Sequence, residues 1–376
     1  MGVERSKAFV ERDRVKKSIE ELMDGGEEGK DRRKRARKLG VMAKEALEEW
    51  GSSYLNISLL IQDVLQMNIP GVFVSIITTP INAIRYKGVI EYSKSQNLKI
   101  QMIPINFPCQ EAGLPDGCEN LDTLLNSLEL SREFFQACEM LQTPLENLIL
   151  ELNPKPNCLI STRAIPWTQN IARKFNIPRY NFETVSCFTL FCSDKLSRAK
   201  FQESVVSVRE LFPAQLPKTA KNGFEDIIDQ IKQAQDSAQG TLVNSFQELE
   251  PWYLENYRRE KGKVYCIGPV SICNKAIPDR FNRGNQAEID EHYCQTWLNS
   301  MRPKSVIYAC FGSLCRISGP QMKKLVRAWK NRISLSFGLS ESRIIRKKLR
   351  IGWRKRGLRR EYEEEGSWYE SGPHKS

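Results

Sequence analysis

The spacing of hydrophobic positions divides the chain into three regions. From Val15 to Val64 apolar residues recur every three or four positions, and the pair Gly25-Gly26 interrupts them, which predicts two or three helices. From 71 to 318 short β-branched runs alternate with amphipathic stretches, as in a doubly wound α/β layer. The strands predicted there are 72–78, 100–107, 158–161, 241–246, 264–267 and 305–311.

Beyond about residue 331 the strand pattern disappears and basic residues become frequent. Residues 323–376 hold 16 Lys or Arg and 6 Asp or Glu, and so carry most of the net charge of +12. Apolar residues are interleaved with the charge between 343 and 360, which is compatible with a basic amphipathic helix on an anionic surface or with disorder. The basic character therefore belongs to the tail.

The overall composition excludes whole-chain disorder and a fibrous protein. The 376 residues are 40% hydrophobic, and no apolar run approaches the roughly 18 residues that span a bilayer. The eleven cysteines contain no CxxC pair, and the first residues are charged where a signal peptide needs an apolar run. These features predict reduced thiols, a cytoplasmic location and no transmembrane segment.

Chemistry-bearing residues are scarce. The two histidines, His292 and His374, limit both metal binding and imidazole catalysis, and no metal site is predicted. The common nucleotide, zinc-protease and serine-hydrolase motifs are absent. Cys187 and Cys192 could form a thiol site, but their apolar surroundings favour buried packing.

Two polar segments have open interpretations. Gly312 and Ser313 follow an apolar strand and precede an expected helix, a position suited either to a phosphate-binding turn or to an ordinary strand-to-helix turn. Asp116, Glu119 and Asp122 lie in a Gly/Pro-rich stretch, where a solvated loop is favoured over a metal site.

The middle region carries a series of longer motifs. They are Phe107-Pro108-Cys109-Gln110-Glu111-Ala112-Gly113-Leu114-Pro115, Gly117-Cys118-Glu119-Asn120-Leu121-Asp122, Val243-Asn244-Ser245-Phe246, Glu248-Leu249-Glu250-Pro251, Cys266-Ile267-Gly268-Pro269-Val270 and Tyr308-Ala309-Cys310-Phe311-Gly312-Ser313-Leu314-Cys315. In this order, and over about residues 71 to 330, they resemble the plant UDP-glycosyltransferases that modify flavonoids and terpenoids.

Residues 10 to 66 resemble the C-terminal end of the same family, so the order of the two parts is reversed. Our interpretation is that the tail of one gene copy precedes the body of another, through genomic fusion or a mistaken gene model, with circular permutation as the alternative. Four segments are then expected. They are a helical segment at 1–66, an acceptor-binding Rossmann-like domain without its first strand at 71–255, a partial UDP-sugar-binding domain at 256–330 and a disordered basic tail at 331–376.

The resemblance implies an α/β, GT-B-like fold of two Rossmann-type domains. It also implies a metal-free reaction without a cofactor, in which UDP-sugar is the co-substrate and a histidine at the first strand deprotonates the acceptor hydroxyl. An aspartate orients that histidine in the family, and Thr162 stands at the position of the aspartate here. Because the match begins only at the second strand and lacks the family's donor signature, no intact catalytic residue is expected.

The remaining site residues are carried over from the resemblance. Acceptor-binding positions are Glu111, Ile165, Trp167 and Glu183, and donor-binding positions are Gly312 and Ser313. The expected partners are a small-molecule acceptor and UDP-sugar, with no specific nucleic acid, and the chain is expected to be a monomer.

Three functions remain open at this point. The family reaction transfers a sugar to a hydroxyl of a plant phenolic or terpenoid, but this chain alone is expected to be inactive. One alternative is a non-catalytic protein that binds the aglycone. The other is an anionic-surface binder acting through residues 343–360.

Overall fold

The chain divides into two compact units, and the larger one carries most of the regular structure. It comprises Lys30–Glu119 and Leu130–Asn285, and the smaller unit comprises the rest. The computed structural model describes residues 12–65, 72–124, 130–199, 225–272, 291–302, 306, 308–310 and 337–339.

The helices predicted before residue 66 are confirmed. They are α1 (Arg12–Met23), α2 (Glu27–Glu45) and α3 (Ser52–Leu65). The expected glycine break lies between α1 and α2, where Asp24 Oδ1 accepts a 2.9 Å hydrogen bond from the N–H of Gly26. The carboxylate thereby satisfies a backbone donor just ahead of α2.

Two parallel sheets form the framework of the larger unit. In one sheet β1 pairs with β2, and in the other β3, β4, β5 and β6 lie side by side in chain order. The strands are β1 (Val74–Thr78), β2 (Ile100–Pro104), β3 (Leu159–Thr162), β4 (Arg179–Glu183), β5 (Gly240–Val243) and β6 (Val264–Cys266).

Helices connect these strands, as the alternating pattern predicts. They are α4 (Pro80–Ser95), α5 (Ser131–Met140), α6 (Gln142–Glu151), α7 (Thr168–Phe175), α8 (Cys187–Ala199), α9 (Glu225–Asp236) and α10 (Pro251–Lys261). Each parallel connection thus crosses over through at least one helix, as parallel pairing requires.

Among its described residues, the smaller unit contains α1 and three further elements, besides a short 3-10 turn at Leu121–Leu124. These elements are α11 (Glu291–Ser300), β7 (Tyr308–Cys310) and β8 (Phe337–Leu339). Strand β7 pairs in parallel with β8.

Both faces of the four-stranded sheet are covered. On one face Val243, Val264 and Cys266 pack with α8 and α10, and Cys187 and Cys192 are buried in the same cluster. The packing interpretation of these cysteines is therefore confirmed. Cys187 Sγ lies 3.7 Å from Cys266 Sγ.

On the opposite face, the sheet is covered by α3. The side chains of Leu60 and Val64 pack against Tyr180, Leu242 and Tyr265. A helix from the N-terminal region therefore completes the core of the larger unit. The apolar surface that it buries stabilises the fold by about 25 cal/mol per Å².

Strands β4 and β8 are the described strands that the hydrophobic pattern did not predict, and β8 lies where the strand pattern was expected to disappear. In β4 the polar side chains of Arg179, Asn181 and Glu183 are fully or almost fully buried. Polar residues at every second position are typical of a strand with one solvated face, whereas here they lie inside, and the five-residue segment has no β-branched residue of the kind that strand prediction favours. Polar partners on the neighbouring elements allow Arg179 and Glu183 to lie inside, whereas the side-chain amide of Asn181 has no hydrogen-bond partner among the described residues.

The sheet also continues past residue 255, where the sequence placed a domain boundary. Strand β6 is its fourth strand, and the larger unit extends to Asn285. The four-segment organisation stays a prediction. Among the described residues, no helix is long and apolar enough to cross a bilayer.

Candidate functional site

The candidate site lies at the carboxyl ends of β3 and β4, the end at which parallel sheets bind ligands. Strand β3 ends at Thr162, which pairs with Phe182, so Glu183 extends one residue farther. A tight turn follows β3, because the N–H of Ile165 donates to the Thr162 carbonyl at 3.3 Å. Thr162, Ile165 and Trp167 therefore share one short connection to α7.

Two of the predicted acceptor-binding residues pack into the protein. Trp167 is 6% exposed and lies in an apolar cluster with Leu145 and Ile171, while Ile165 is half-buried against the same cluster. The indole Nε1 of Trp167 has no hydrogen-bond partner within the described residues. This tryptophan forms the floor beneath the turn and does not present its face to solvent.

Glu183 is buried as well, with 1% of its side chain exposed. Gln235 Nε2 donates a 2.8 Å hydrogen bond to Oε1, and Arg163 Nη1 lies 3.8 Å from Oε2. Burial raises the pKa of this carboxyl, while the Gln235 hydrogen bond and the charges of Arg163 and Arg179 oppose the rise. The carboxyl is thus held within the fold.

A buried polar layer continues along the same face of β4. Arg179 Nε donates to Ser161 Oγ at 2.9 Å and to Thr168 Oγ1 at 2.8 Å, and Nη1 donates to the Ala234 carbonyl at 2.8 Å. Burial lowers the pKa of Arg179 to about 10, with the charge of Glu183 opposing it. These contacts tie β3, α7 and α9 to β4 beneath the site.

Glu111 is placed differently, on an exposed loop after β2. The loop folds back on itself, since the N–H of Leu114 donates to the Cys109 carbonyl at 2.7 Å. Gly113 adopts a φ of 72° at this reversal, a left-handed conformation that favours glycine. Buried Cys109 and Leu114 anchor the loop, and Glu111 is exposed to solvent.

The predicted acidic cluster has a structural explanation at Glu119. Its Oε2 accepts a 2.8 Å hydrogen bond from the N–H of Ile81, in the first turn of α4. The side chain of Thr79 makes no capping bond there, so Glu119 satisfies an otherwise free donor at the helix start. No group of residues able to hold a metal ion occurs among the described residues.

At Thr162 the site carries an exposed, uncharged hydroxyl. No histidine occurs in the sequence between residues 72 and 272. The predicted donor residues Gly312 and Ser313 lie outside the described residues, so their role stays a prediction. The contacts of Arg163 and Gln235 with Glu183 were not predicted from the sequence. The position of Arg163, a basic residue directly after β3, could have indicated the first of them.

Comparison with known proteins gives one consistent result. The chain is 38% identical over 301 residues to UDP-glycosyltransferase 73C1 of Arabidopsis thaliana, covering 72% of this chain and 61% of that protein. It is 40% identical over 289 residues to UDP-glycosyltransferase 73C3 of the same plant, covering 73% and 56%. The chain thus spans less than two thirds of either relative. No family model matches it.

Solved structures agree on the fold. UGT73P12 of Glycyrrhiza uralensis, complexed with glycyrrhetinic acid 3-O-monoglucuronide, matches with a TM-score of 0.59 and 28% identity over 74% of this chain and 59% of its own. UGT89C1 of Arabidopsis thaliana, complexed with UDP-L-rhamnose, matches with a TM-score of 0.54 and 22% identity over 77% and 61%. The α/β, GT-B-like fold class is confirmed.

Proposed function

This chain belongs by homology to the plant UDP-glycosyltransferases of family 1, and we propose that it binds acceptors without transferring sugar by itself. The family reaction moves a sugar from a UDP-sugar to an acceptor hydroxyl with inversion at the sugar. It requires a base at that hydroxyl and a group that holds the base in place.

The end of β3 is the observation that supports the loss of transfer. An aspartate at this position would stabilise the imidazolium that forms when histidine takes the proton. Thr162 offers a hydroxyl with no charge. The nearest described carboxyl on β4, at Glu183, is buried and held by Gln235 and Arg163. General-base catalysis contributes about 10² to 10⁴ in rate, so its loss alone suppresses turnover.

Product analysis tests the loss of transfer. The purified chain is incubated with UDP-glucose and a flavonol, and the products are separated by mass spectrometry. We expect no glucoside from the chain or from its Thr162→Asp variant, because the variant restores the orienting carboxylate but no base. A glucoside formed by sequence-verified chain would contradict the proposal.

Retained acceptor binding rests on the intact strand-end region. The loop carrying Glu111 is anchored by buried residues, and the turn carrying Ile165 packs on a formed core. The relative with 28% identity was solved with a glucuronide of glycyrrhetinic acid, which makes that compound and a flavonol suitable probes.

Intrinsic tryptophan fluorescence tests this binding. We expect saturable quenching with at least one probe and a weaker response in Ile165→Ala. The matched control is Leu98→Ala, another aliphatic truncation, at an exposed residue just before the N-terminal end of β2 in the other sheet. Unchanged fluorescence across the titration, or equal weakening by both variants, would overturn the assignment of the acceptor site.

Calorimetry with UDP examines the donor side separately. The sequence resemblance to the family ends before its donor signature, and we expect no heat above that of buffer. Heat that saturates would restore UDP-sugar binding as a function of the chain, whatever the outcome at the acceptor site.

A further inference from the structure

The two parallel sheets of the larger unit border one apolar layer. Ile77 on β1 and Leu159 on β3 both pack against the cluster that contains Leu145, Ile149 and Trp167. Yet β1 pairs only with β2, and β3 pairs only with β4, among the strands that the structure describes. Each sheet therefore ends at an open edge beside the same core.

The backbone groups on these edges can be identified from the hydrogen bonds on the paired side. The N–H of Val74 donates to the Lys99 carbonyl at 2.9 Å, so Val74 faces β2 and the alternate residues Ser75 and Ile77 face away. N–H and C=O groups alternate in direction along a strand, so two residues of β1 present theirs to the open side.

The same reasoning applies to β3. The N–H of Leu159 donates to the Pro178 carbonyl at 2.9 Å, so Ile160 and Thr162 face away from β4. Apart from the Thr162 carbonyl, which accepts from Ile165, these edge groups have no backbone partner in the described ranges. Unpaired strand edges of this kind are templates for pairing with another chain.

The side chains around the edges of β1 and β3 indicate which kind of strand could pair with them. Ile77 faces the apolar cluster on one side of the sheets, and Ile160 is 50% exposed on the other side, next to Tyr180 in register. A strand lying against these edges would have apolar neighbours on both faces. Strands covered on both faces are near-continuous runs of valine, isoleucine and leucine.

We propose that the open edges of β1 and β3 form a binding site for an extended, apolar β-strand supplied by a different polypeptide. Main-chain hydrogen bonds would give affinity, and the two apolar faces would select hydrophobic sequences, as in other cases of strand addition. A second copy is a poor donor, because its described strands β1 to β6 already belong to sheets. A copy would have to dismantle its own core to supply one.

A synthetic peptide tests the site on the full chain. The probe is a run of about five alternating valines and isoleucines, flanked by lysine pairs for solubility. The control peptide has the same sequence with alternate amides N-methylated, which removes donors and keeps hydrophobicity. Hydrogen exchange at Ser75, Ile77, Ile160 and Thr162 is followed with and without peptide.

We expect the probe to slow exchange at these amides by about tenfold or more and the methylated control to leave it unchanged. Equal protection by both peptides would overturn the proposal, since it would indicate non-specific hydrophobic contact. Amides of Ile77 and Ile160 already as protected as those of β4 in the free chain would also overturn it, because the edges would then be paired.

A variant pair in the chain provides the second arm. Ile160→Pro removes a single edge N–H in an extended strand that tolerates proline at an unpaired position, whereas Ile160→Val keeps it. We expect peptide affinity to fall by about tenfold in the first and by less than about twofold in the second. Self-association of the free chain that Ile160→Pro abolishes would assign the edges to a second copy and refute a foreign strand.

Discussion

Ser53 in the first turn of α3 donates a 2.6 Å hydrogen bond to the carbonyl oxygen of Gly268, 215 positions further along the chain. Both residues are buried, and two more polar contacts extend the junction. Arg258 Nη2 donates to Asn56 Oδ1 at 3.0 Å, and Lys263 Nζ donates to Asp63 Oδ2 at 2.7 Å. The helix before the first strand is therefore fastened to the last strand of the sheet.

The Ser53 bond predicts a measurable stability loss. Ser53→Ala leaves the Gly268 carbonyl without this donor in a buried position, so we expect the free energy of unfolding in urea to fall by about 1–2 kcal/mol. The control is Ser52→Ala, which removes an exposed 2.8 Å bond to Glu248 and should cost less than about 0.5 kcal/mol. Equal effects of the two substitutions would argue against a buried junction.

Gly268 predicts a steric effect at the same junction. A Cβ at this position would lie 2.6 Å from Asn244 Oδ1 and 2.7 Å from the backbone nitrogen of Ser245. The backbone cannot yield easily there, so Gly268→Ala should destabilise the chain by more than about 2 kcal/mol.

Gly40, in the interior of α2, supplies the matched control for Gly268→Ala. A Cβ at Gly40 meets nothing within 4 Å, so Gly40→Ala should stabilise by about 0.5–1 kcal/mol through helix propensity. Thermal unfolding followed by circular dichroism distinguishes the two signs. A loss in both variants would mean that backbone freedom, and not the close approach, decides at Gly268.

Much of the fold could be predicted from the hydrophobic pattern of the sequence. Hydrophobic runs predicted β1, β2, β3, β5 and β6 to within a few residues, because each has the β-branched or apolar content that pairing requires. Periodicity likewise predicted the N-terminal helices. What the pattern could not provide was the contact between α3 and β6, since hydrogen bonds such as Ser53 to Gly268 join residues with no local relationship.

The candidate site was predicted less well than the fold. The family resemblance assigned Glu111, Ile165, Trp167 and Glu183 to the acceptor site, but burial decides what each can contact. Trp167 and Glu183 turned out to lie inside, where a polar layer supplies partners for the carboxyl. The burial of Arg179 and Asn181 on β4 was likewise not predicted, since polar residues of these types are mostly exposed.

The contacts of Glu250 indicate that the motif Glu248-Leu249-Glu250-Pro251 has a structural role. Its carboxylate accepts 2.8 Å bonds from the N–H groups of Cys187 and Phe188 at the start of α8, and a 2.6 Å bond from Ser245 Oγ. Glu250→Ala leaves these buried donors unsatisfied and should cost about 2–3 kcal/mol in urea unfolding. Glu248→Ala, on the exposed side of the same motif, should cost less than about 0.5 kcal/mol. A comparable loss at Glu248 would contradict the capping role.

The pH dependence of stability should separate the environments of two carboxyls, buried Glu183 and half-buried Asp63. Burial raises the pKa of Glu183 in the folded state above its ordinary value of 4.5, so the folded state binds more protons than the unfolded state in that window. Stability therefore falls as pH rises above 4.5 through the raised pKa. Glu183→Gln removes this fall, and the variant should gain stability relative to the parent as pH increases.

Asp63 should show the opposite trend. Hydrogen bonds from Lys263 and Tyr265 hold its pKa below the ordinary value of 3.8, so its contribution is present above that pH and is lost as pH falls through the lowered pKa. Asp63→Asn should therefore be most destabilising near neutral pH, with the difference shrinking in acid. Urea unfolding of both variants and the parent from about pH 3 to pH 8 measures the two slopes. Parallel slopes in the two variants would mean that general acid expansion, and not these two sites, sets the pH profile. Opposite slopes would assign one part of the pH dependence to Glu183, in the polar layer along β4, and the other part to Asp63, in the junction between α3 and β6.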